Sequence, residues 1–190
     1  QGDPNRKLST RPQMERDEWQ KFCEKISELG KYLEDEGMPL AYHHHMGTVI
    51  ETQKDTERLI ENTHESVKLT LDTGHMLFAK GDSKYILQNY HERILHVHCK
   101  DIRKQVLEKS LKEDLSFRGA FLEGAFTVPG DGCIDYQPLF NVLKNNNYSG
   151  WLVVEAEQDP AKANPLEYAK IGYNYLTDTL KKSEIEIYKN

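Results

Sequence analysis

Hydrophobic positions along the chain switch between two spacings. From Glu15 onward, Trp19, Phe22, Cys23, Ile26, Leu29 and Leu33 recur three and four residues apart, with Glu and Lys between them. That spacing predicts an amphipathic helix, stopped near Gly37 with Pro39 just beyond. Residues 1–14, with Gly2, Pro4 and Pro12 among polar neighbours, read as loop. Elsewhere the period falls to two. Pro39 to His45 (PLAYHHH) reads as a strand in which His43 and His45 share a face and His44 points away, and Met46-Gly47-Thr48 turns the chain. Val67 to His75 is a second strand, with Val67, Leu69 and Leu71 on one face, Lys68, Thr70 and Asp72 on the other, and Gly74 as its turn. Ile94 to Lys100 is a third, placing His96, His98 and Lys100 on one face and Leu95, Val97 and Cys99 on the other. Trp151 to Glu157 is a fourth, with Trp151, Val153, Glu155 and Glu157 together.

Helices alternate with these strands. Thr52 and Asp55 form a capping box ahead of Leu59 and Ile60. Asp82 caps a helix running to about Tyr90, and Asp135 caps one with Pro138 in its first turn. A last helix carries Leu166, Ala169, Ile171, Tyr173 and Leu176, and the polar tail from Lys181 is expected to fray. Residues 102–130 are an excursion, with a charged helical piece followed by Phe117, Phe121, Leu122 and Phe126, closed by the turn Pro129-Gly130-Asp131-Gly132.

Regular βα alternation predicts a parallel sheet. Buried parallel strands are normally apolar throughout, whereas these turn polar toward their C-terminal ends. That suits an α/β (β/α)₈ TIM barrel, whose functional residues gather at those ends. Only four βα units are present, so residues 1–190 read as a single domain, the C-terminal half of a TIM barrel.

Composition narrows the function. With 31 acidic against 25 basic residues the net charge is -6, and there is no basic run of the kind a phosphate backbone requires. Apolar runs are too short to span a bilayer. The first residues carry no signal-peptide pattern, and a start without Met suggests a trimmed or partial chain. Cys23, Cys99 and Cys133 are odd in number and widely spaced, so neither a disulfide framework nor a zinc ribbon is indicated and a reducing cytosol is the simplest compartment.

The polar strand ends carry the candidate chemistry. Asp72, His98 and Glu155 end three successive strands. Each alone has an ordinary reading as a turn former, core histidine or surface acid; the coincidence on three strands points to a metal. A His/carboxylate set suits Mn²⁺, Co²⁺, Fe²⁺ or Zn²⁺. For a fourth ligand Glu51 is the first choice and His43 or His45 the next. Spacing cannot separate Glu155 from Glu157. The remaining polar residues, His43, His45, His75, Lys100, Asp101 and Arg103, are placed to bind a polyhydroxylated substrate or move protons, while His96 supports from deeper in the strand. No dinucleotide or Walker loop and no nucleophile elbow is present.

The stretches YHHHMGT (42–48), LDTGH (71–75), HVHCKD (96–101), FTVPGDGCIDYQP (126–138) and GWLVVEAEQDPAKANPLE (150–167) resemble the inosose dehydratases, a branch of the xylose-isomerase-like, metal-dependent TIM barrels. HVHxKD is shared by many sugar isomerases and epimerases; YHHHMGT and VVEAEQDP are more specific. The resemblance implies a cytoplasmic hydro-lyase of myo-inositol catabolism, dehydrating 2-keto-myo-inositol (scyllo-inosose) to a trihydroxycyclohexane-dione with Mn²⁺ or Co²⁺, and with Zn²⁺ able to take their place in crystals. It carries the metal-ligand role onto Asp72 of LDTGH, His98 of HVH and Glu155 of VVE, and less directly onto Glu51. Lys100, His75 or Glu157 would act as the base, and His43, His45, His75, Lys100 and Arg103 would bind substrate. The partner implied is a small polyhydroxylated keto-cyclitol or sugar, with no nucleic acid, no membrane, and self-association into a homo-oligomer left open. The rival expectations are a sugar isomerase or epimerase using the same metal, a DNA-repair endonuclease, against which the charge counts, and a non-catalytic half-barrel.

Overall fold

The computed structural model describes residues 3–187. Its centre is a four-stranded parallel sheet built from β1 (Leu40–His43), β2 (Val67–Asp72), β3 (Ile94–Cys99) and β6 (Leu152–Val154), in the order β1-β2-β3-β6. Asp72 lies opposite His98, and His98 opposite Val153. The central strands thus bring their polar ends to one level. A two-stranded antiparallel ribbon, β4 (Asp101–Ile102) with β5 (Phe126–Thr127), follows directly from β3.

The helices begin where local chemistry predicts. α1 (Arg16–Asp35) opens on a capping box between Glu15 and Glu18, and Trp19, Cys23 and Gly30 are its buried positions. Gly30 is needed for close approach, because a Cβ there would meet Ser66 Oγ at 2.9 Å and Val67 Cγ2 at 3.0 Å. Leu29, expected on the apolar stripe, is instead exposed. α2 (Gln53–Asn62) carries the predicted Thr52–Asp55 box, and Asp82 caps α4 (Ser83–Tyr90). α7 (Gln137–Asn145) starts after Asp135, whose side chain accepts the Gln137 N–H. In α8 (Pro165–Lys182) the buried side is Gly172, Leu176, Thr179 and Leu180, while Leu166, Ile171 and Tyr173 face solvent.

Four expectations are corrected. The second strand does not run to His75. Asp72 Oδ1 accepts the His75 N–H at 2.8 Å, so the chain turns at once into α3 (Thr73–Phe78) and Gly74 is helical rather than a turn. The last strand stops at Val154, although Glu155 N–H still donates to Cys99 O, and β1 stops at His43. The opening segment is more than a loop. Leu8 N–H donates to Leu115 O, Ser9 bonds Asp114 through backbone and hydroxyl, and Arg11 bridges to Asp55 at 2.9 Å. It thereby straps the excursion to the turn after β1. Gln1, Gly2 and the last three residues of the expected frayed tail lie outside the described residues.

The excursion folds as α5 (Lys104–Lys112) and α6 (Phe117–Leu122) over a second apolar cluster of Met46, Phe78, Ile102, Leu107, Ala120, Ala125 and Phe126. The main cluster, around Leu69, Leu71, Val97, Leu59 and Phe140, fills the space between sheet and helices. Among the described residues no helix is long and apolar enough to cross a membrane.

Candidate metal centre and acid–base cluster

Asp72 is fully buried at the end of a central strand. One oxygen, Oδ1, is used to cap α3. The other, Oδ2, faces His43 Nε2 and Lys100 Nζ at 3.3 Å each and His98 Nδ1 at 3.7 Å. Burial alone would raise its pKa. The contacts from His43 and His98 and the charge on Lys100 outweigh that and hold it well below the usual carboxylate range.

His98 and Glu155 meet on the neighbouring strands. His98 Nδ1 lies 2.5 Å from Glu155 Oε2, yet neither atom has an aligned hydrogen-bond partner, and both are buried. Against its burial, the contacts with Asp72 and then Glu155 draw the imidazole up to about 9. Such unpartnered atoms cost free energy. A cation between them would satisfy both.

Lys100 is the hub. Its side chain is completely buried, with Nζ 3.0 Å from Glu157 Oε2, 3.0 Å from His75 Nε2 and 3.1 Å from Glu155 Oε1. Burial opposes its charge, but Asp72, Glu157 and Glu155 prevail and raise its pKa. Burial holds His75 well below its ordinary value, so it is neutral; its Nδ1 faces the Met46 N–H at 3.5 Å. His45 closes the cluster, 3.5 Å from Glu157 Oε1 and tilted against His75 with ring centroids 3.8 Å apart. Glu157 is shifted down despite its burial, chiefly by His45 and Lys100.

Among the described residues, three overlapping groups place ligand atoms within 4.8 Å of one another: Asp72–His98–Glu155, His43–Asp72–His75 and His45–His75–Glu157. The Lys100 ammonium contacts two donors of each group, so it does not distinguish them. The first has the unpartnered donors and a mixed imidazole and carboxylate chemistry, and it fits a divalent metal. The structure also separates the two glutamates: Glu155 groups with Asp72 and His98, and Glu157 with His45 and His75.

Glu51, the first choice for a fourth ligand, is in none of these groups. Its carboxylate accepts the Gly47 N–H at 2.7 Å and faces Arg11. His43, an alternative choice, is the residue brought to Asp72. Arg103 is not part of the cluster: its guanidinium donates to Gly124 O, Thr127 Oγ1 and Asp131 Oδ2. Asp101 is likewise turned away, accepting the N–H groups of Ile102, Cys133 and Ile134. His96 lies beneath, its ring 5.2 Å from that of His98. Two contributors escaped the pattern. His44, pointed outward by alternation, is fully buried and its Nε2 accepts the Asp72 N–H, because the backbone has left the strand after His43. Phe117 meets His45 edge to face with ring centroids 5.1 Å apart; an aromatic leading an excursion beside a histidine strand was the available signal.

Residues 4–179 match the model of the xylose isomerase-like TIM-barrel family. The chain is 50% identical over 163 residues to an inosose dehydratase of Clostridium beijerinckii, covering 85% of this chain and 55% of that protein. An inosose dehydratase of Halalkalibacterium halodurans is 47% identical over 174 residues, covering 91% and 57%. The rhizopine catabolism protein MocC of Rhizobium meliloti is 46% identical over 169 residues, covering 89% and 52%. The chain therefore spans about half the length of the curated relatives it matches. Among solved structures, the IolI protein with a bound zinc atom superposes with a TM-score of 0.59 at 22% identity, over 92% of this chain and 58% of that one. An L-ribulose 3-epimerase superposes with a TM-score of 0.65 at 17% identity, over 94% and 59%. On the family match, with parallel strands whose polar ends gather as such barrels require, the chain belongs to the xylose isomerase-like TIM-barrel family.

Proposed function

We propose that this chain carries the catalytic centre of an inosose dehydratase, a hydro-lyase acting on 2-keto-myo-inositol in a cytoplasmic catabolic setting. The observation that carries the reading is the convergence of Asp72, His98 and Glu155 from three adjacent parallel strands beside a buried Lys100. The four strands are read as the latter half of an eight-stranded barrel, a reading supported by the half-length match to the relatives.

Asp72, His98 and Glu155, with His43 as the fourth, would hold the metal, Mn²⁺ or Co²⁺; Glu51 would support from behind. The bound ion supplies Lewis acidity toward the ketone oxygen. The chain's own residues do the rest. Glu157 and the neutral His75 flank Lys100 at 3.0 Å, so a proton taken from the carbon beside the carbonyl has a path along contacts of hydrogen-bond length. His45, linked to Glu157, is placed to return a proton to the departing β-hydroxyl, which leaves as water. The enol left behind tautomerises to the dione. Phe117 and Phe126 border His75 and keep that side apolar.

Asp72→Ala and His98→Ala test the site. Both are expected to lose bound metal in elemental analysis and to lose the dione chromophore that forms from scyllo-inosose. Full metal content and full activity in both would sink the reading. Epimerised ketose without loss of water would instead assign a sugar epimerase on the same centre.

A further inference from the structure

Lys100 stands where β3 leaves the sheet, and there its own peptide groups are taken by side chains. Thr73 Oγ1 donates to Lys100 O at 2.7 Å and accepts the Lys100 N–H at 3.2 Å. The Tyr136 hydroxyl, 2.8 Å from Thr73 Oγ1, lies 3.0 Å from the same carbonyl oxygen. Both side chains are buried. Beyond the backbone, the lysine stem runs over Gly74. A Cβ at Gly74 would lie 2.7 Å from Lys100 Cγ, 2.9 Å from its Cβ and 3.0 Å from its Cδ. With the backbone clamped the Cβ cannot retreat, and Cγ and Cδ can do so only by rotation of the side chain, which carries Nζ away. Gly74 has no left-handed φ and sits inside α3, where alanine is the better residue for the backbone. Its lack of a side chain is explained by the lysine, not by the helix.

We infer that Gly74, Thr73 and Tyr136 are positioning residues for Lys100: the two hydroxyls fix its peptide and the bare glycine opens the channel that delivers its ammonium between Asp72, Glu155 and Glu157. The inference deepens the reading of Lys100 as a proton-transfer group and rests on it for its kinetic consequence. Its geometric content stands separately. None of the three residues needs to touch substrate; they act through the placement of Nζ, and a displacement near 1 Å costs on the order of a hundredfold in rate.

The test combines a structure with a mutant cycle on the full chain. In Gly74→Ala, a crystal structure is expected to show Nζ withdrawn from Glu155 and Glu157, with metal content unchanged. The kcat for scyllo-inosose should fall on the order of a hundredfold, with KM little altered. In a Lys100→Met background the same change should cost nothing further, because the group it displaces is gone; a merely structural role would remain additive. Thr73→Val should reproduce the loss and Thr73→Ser should restore it, and this pair decides the matter if Gly74→Ala does not fold. Nζ retained on both glutamates in Gly74→Ala or Thr73→Val overturns the inference. If Lys100→Met keeps full activity, the proton-transfer reading falls, and the position of Nζ alone decides whether the three residues place it.

Discussion

His44 shows how a single side chain ties this site to stability. It is buried, accepts the Asp72 N–H through Nε2, and leaves Nδ1 without a partner. Burial lowers its pKa from 6.5 to about 4. A histidine whose folded pKa is depressed is neutral in the fold, and the unfolded chain takes up the proton first. The stability it contributes is present above pH 6.5 and is lost as pH falls toward 4, amounting to about 3 kcal/mol. Urea unfolding of the metal-free protein in chelator is expected to show that decline. His44→Gln, which keeps an acceptor but cannot titrate, should remove this share, leaving the share of His75, which has the same sign. His98, drawn upward instead, acts in the other direction, its contribution being lost as pH rises through about 9. At this scale the gathering of Asp72, His98 and Glu155 was legible in the sequence because strand alternation and strand ends are local properties. That His43 rather than Glu51 lies beside Asp72 was not, since it depends on how the turn at Met46–Thr48 folds back, and sequence spacing does not carry that.

Elements were legible where their signals are local. The Thr52–Asp55 box is present with both of its bonds, Asp55 N–H to Thr52 Oγ1 and Thr52 N–H to Asp55 Oδ2. Thr52→Ala is expected to cost about 1 kcal/mol in chemical denaturation. The change lies beside Glu51 but outside the cluster, so metal content should be unaffected. Strand ends were harder. The second strand was overextended because LDTGH alternates plausibly up to His75, whereas the Asp72 side chain captures the His75 N–H and starts a helix. The β4–β5 ribbon was invisible because two-residue strands pair through tertiary contacts rather than through any run of hydrophobic residues. α8 was recognised by its apolar residues, of which Leu176 is buried, while Gly172, which carries no such signal, packs closely against Val154 and Val128.

For the molecule as a whole, the parallel sheet followed from βα alternation alone, while its closure is a matter of partners. β2 and β3 have ladder neighbours on both sides; β1 and β6 have one each. In hydrogen exchange on the isolated chain, amides of Leu69–Leu71 and Val97–Cys99 should be the slowest, with those of β1 and β6 exchanging sooner. Equal protection in all four strands would mean that the outer strands are paired with further strands, from another copy or from elsewhere in a longer protein.

The divided carboxylate of Asp72 links the level of the residue to that of the molecule. One oxygen begins α3 and the other faces His98 in the proposed metal group, so on that proposal occupancy of the centre and integrity of the fold draw on the same side chain. Metal loading therefore reads out as heat resistance: at a hundred times Kd it should add about 2.7 kcal/mol, roughly 5–10 °C in Tm for a chain of this size. Calorimetry with and without chelator measures it. Asp72→Asn retains an oxygen to cap the helix and gives up the charge, so its melting should become indifferent to metal; a metal-dependent Tm that survives in that variant would place the ion elsewhere.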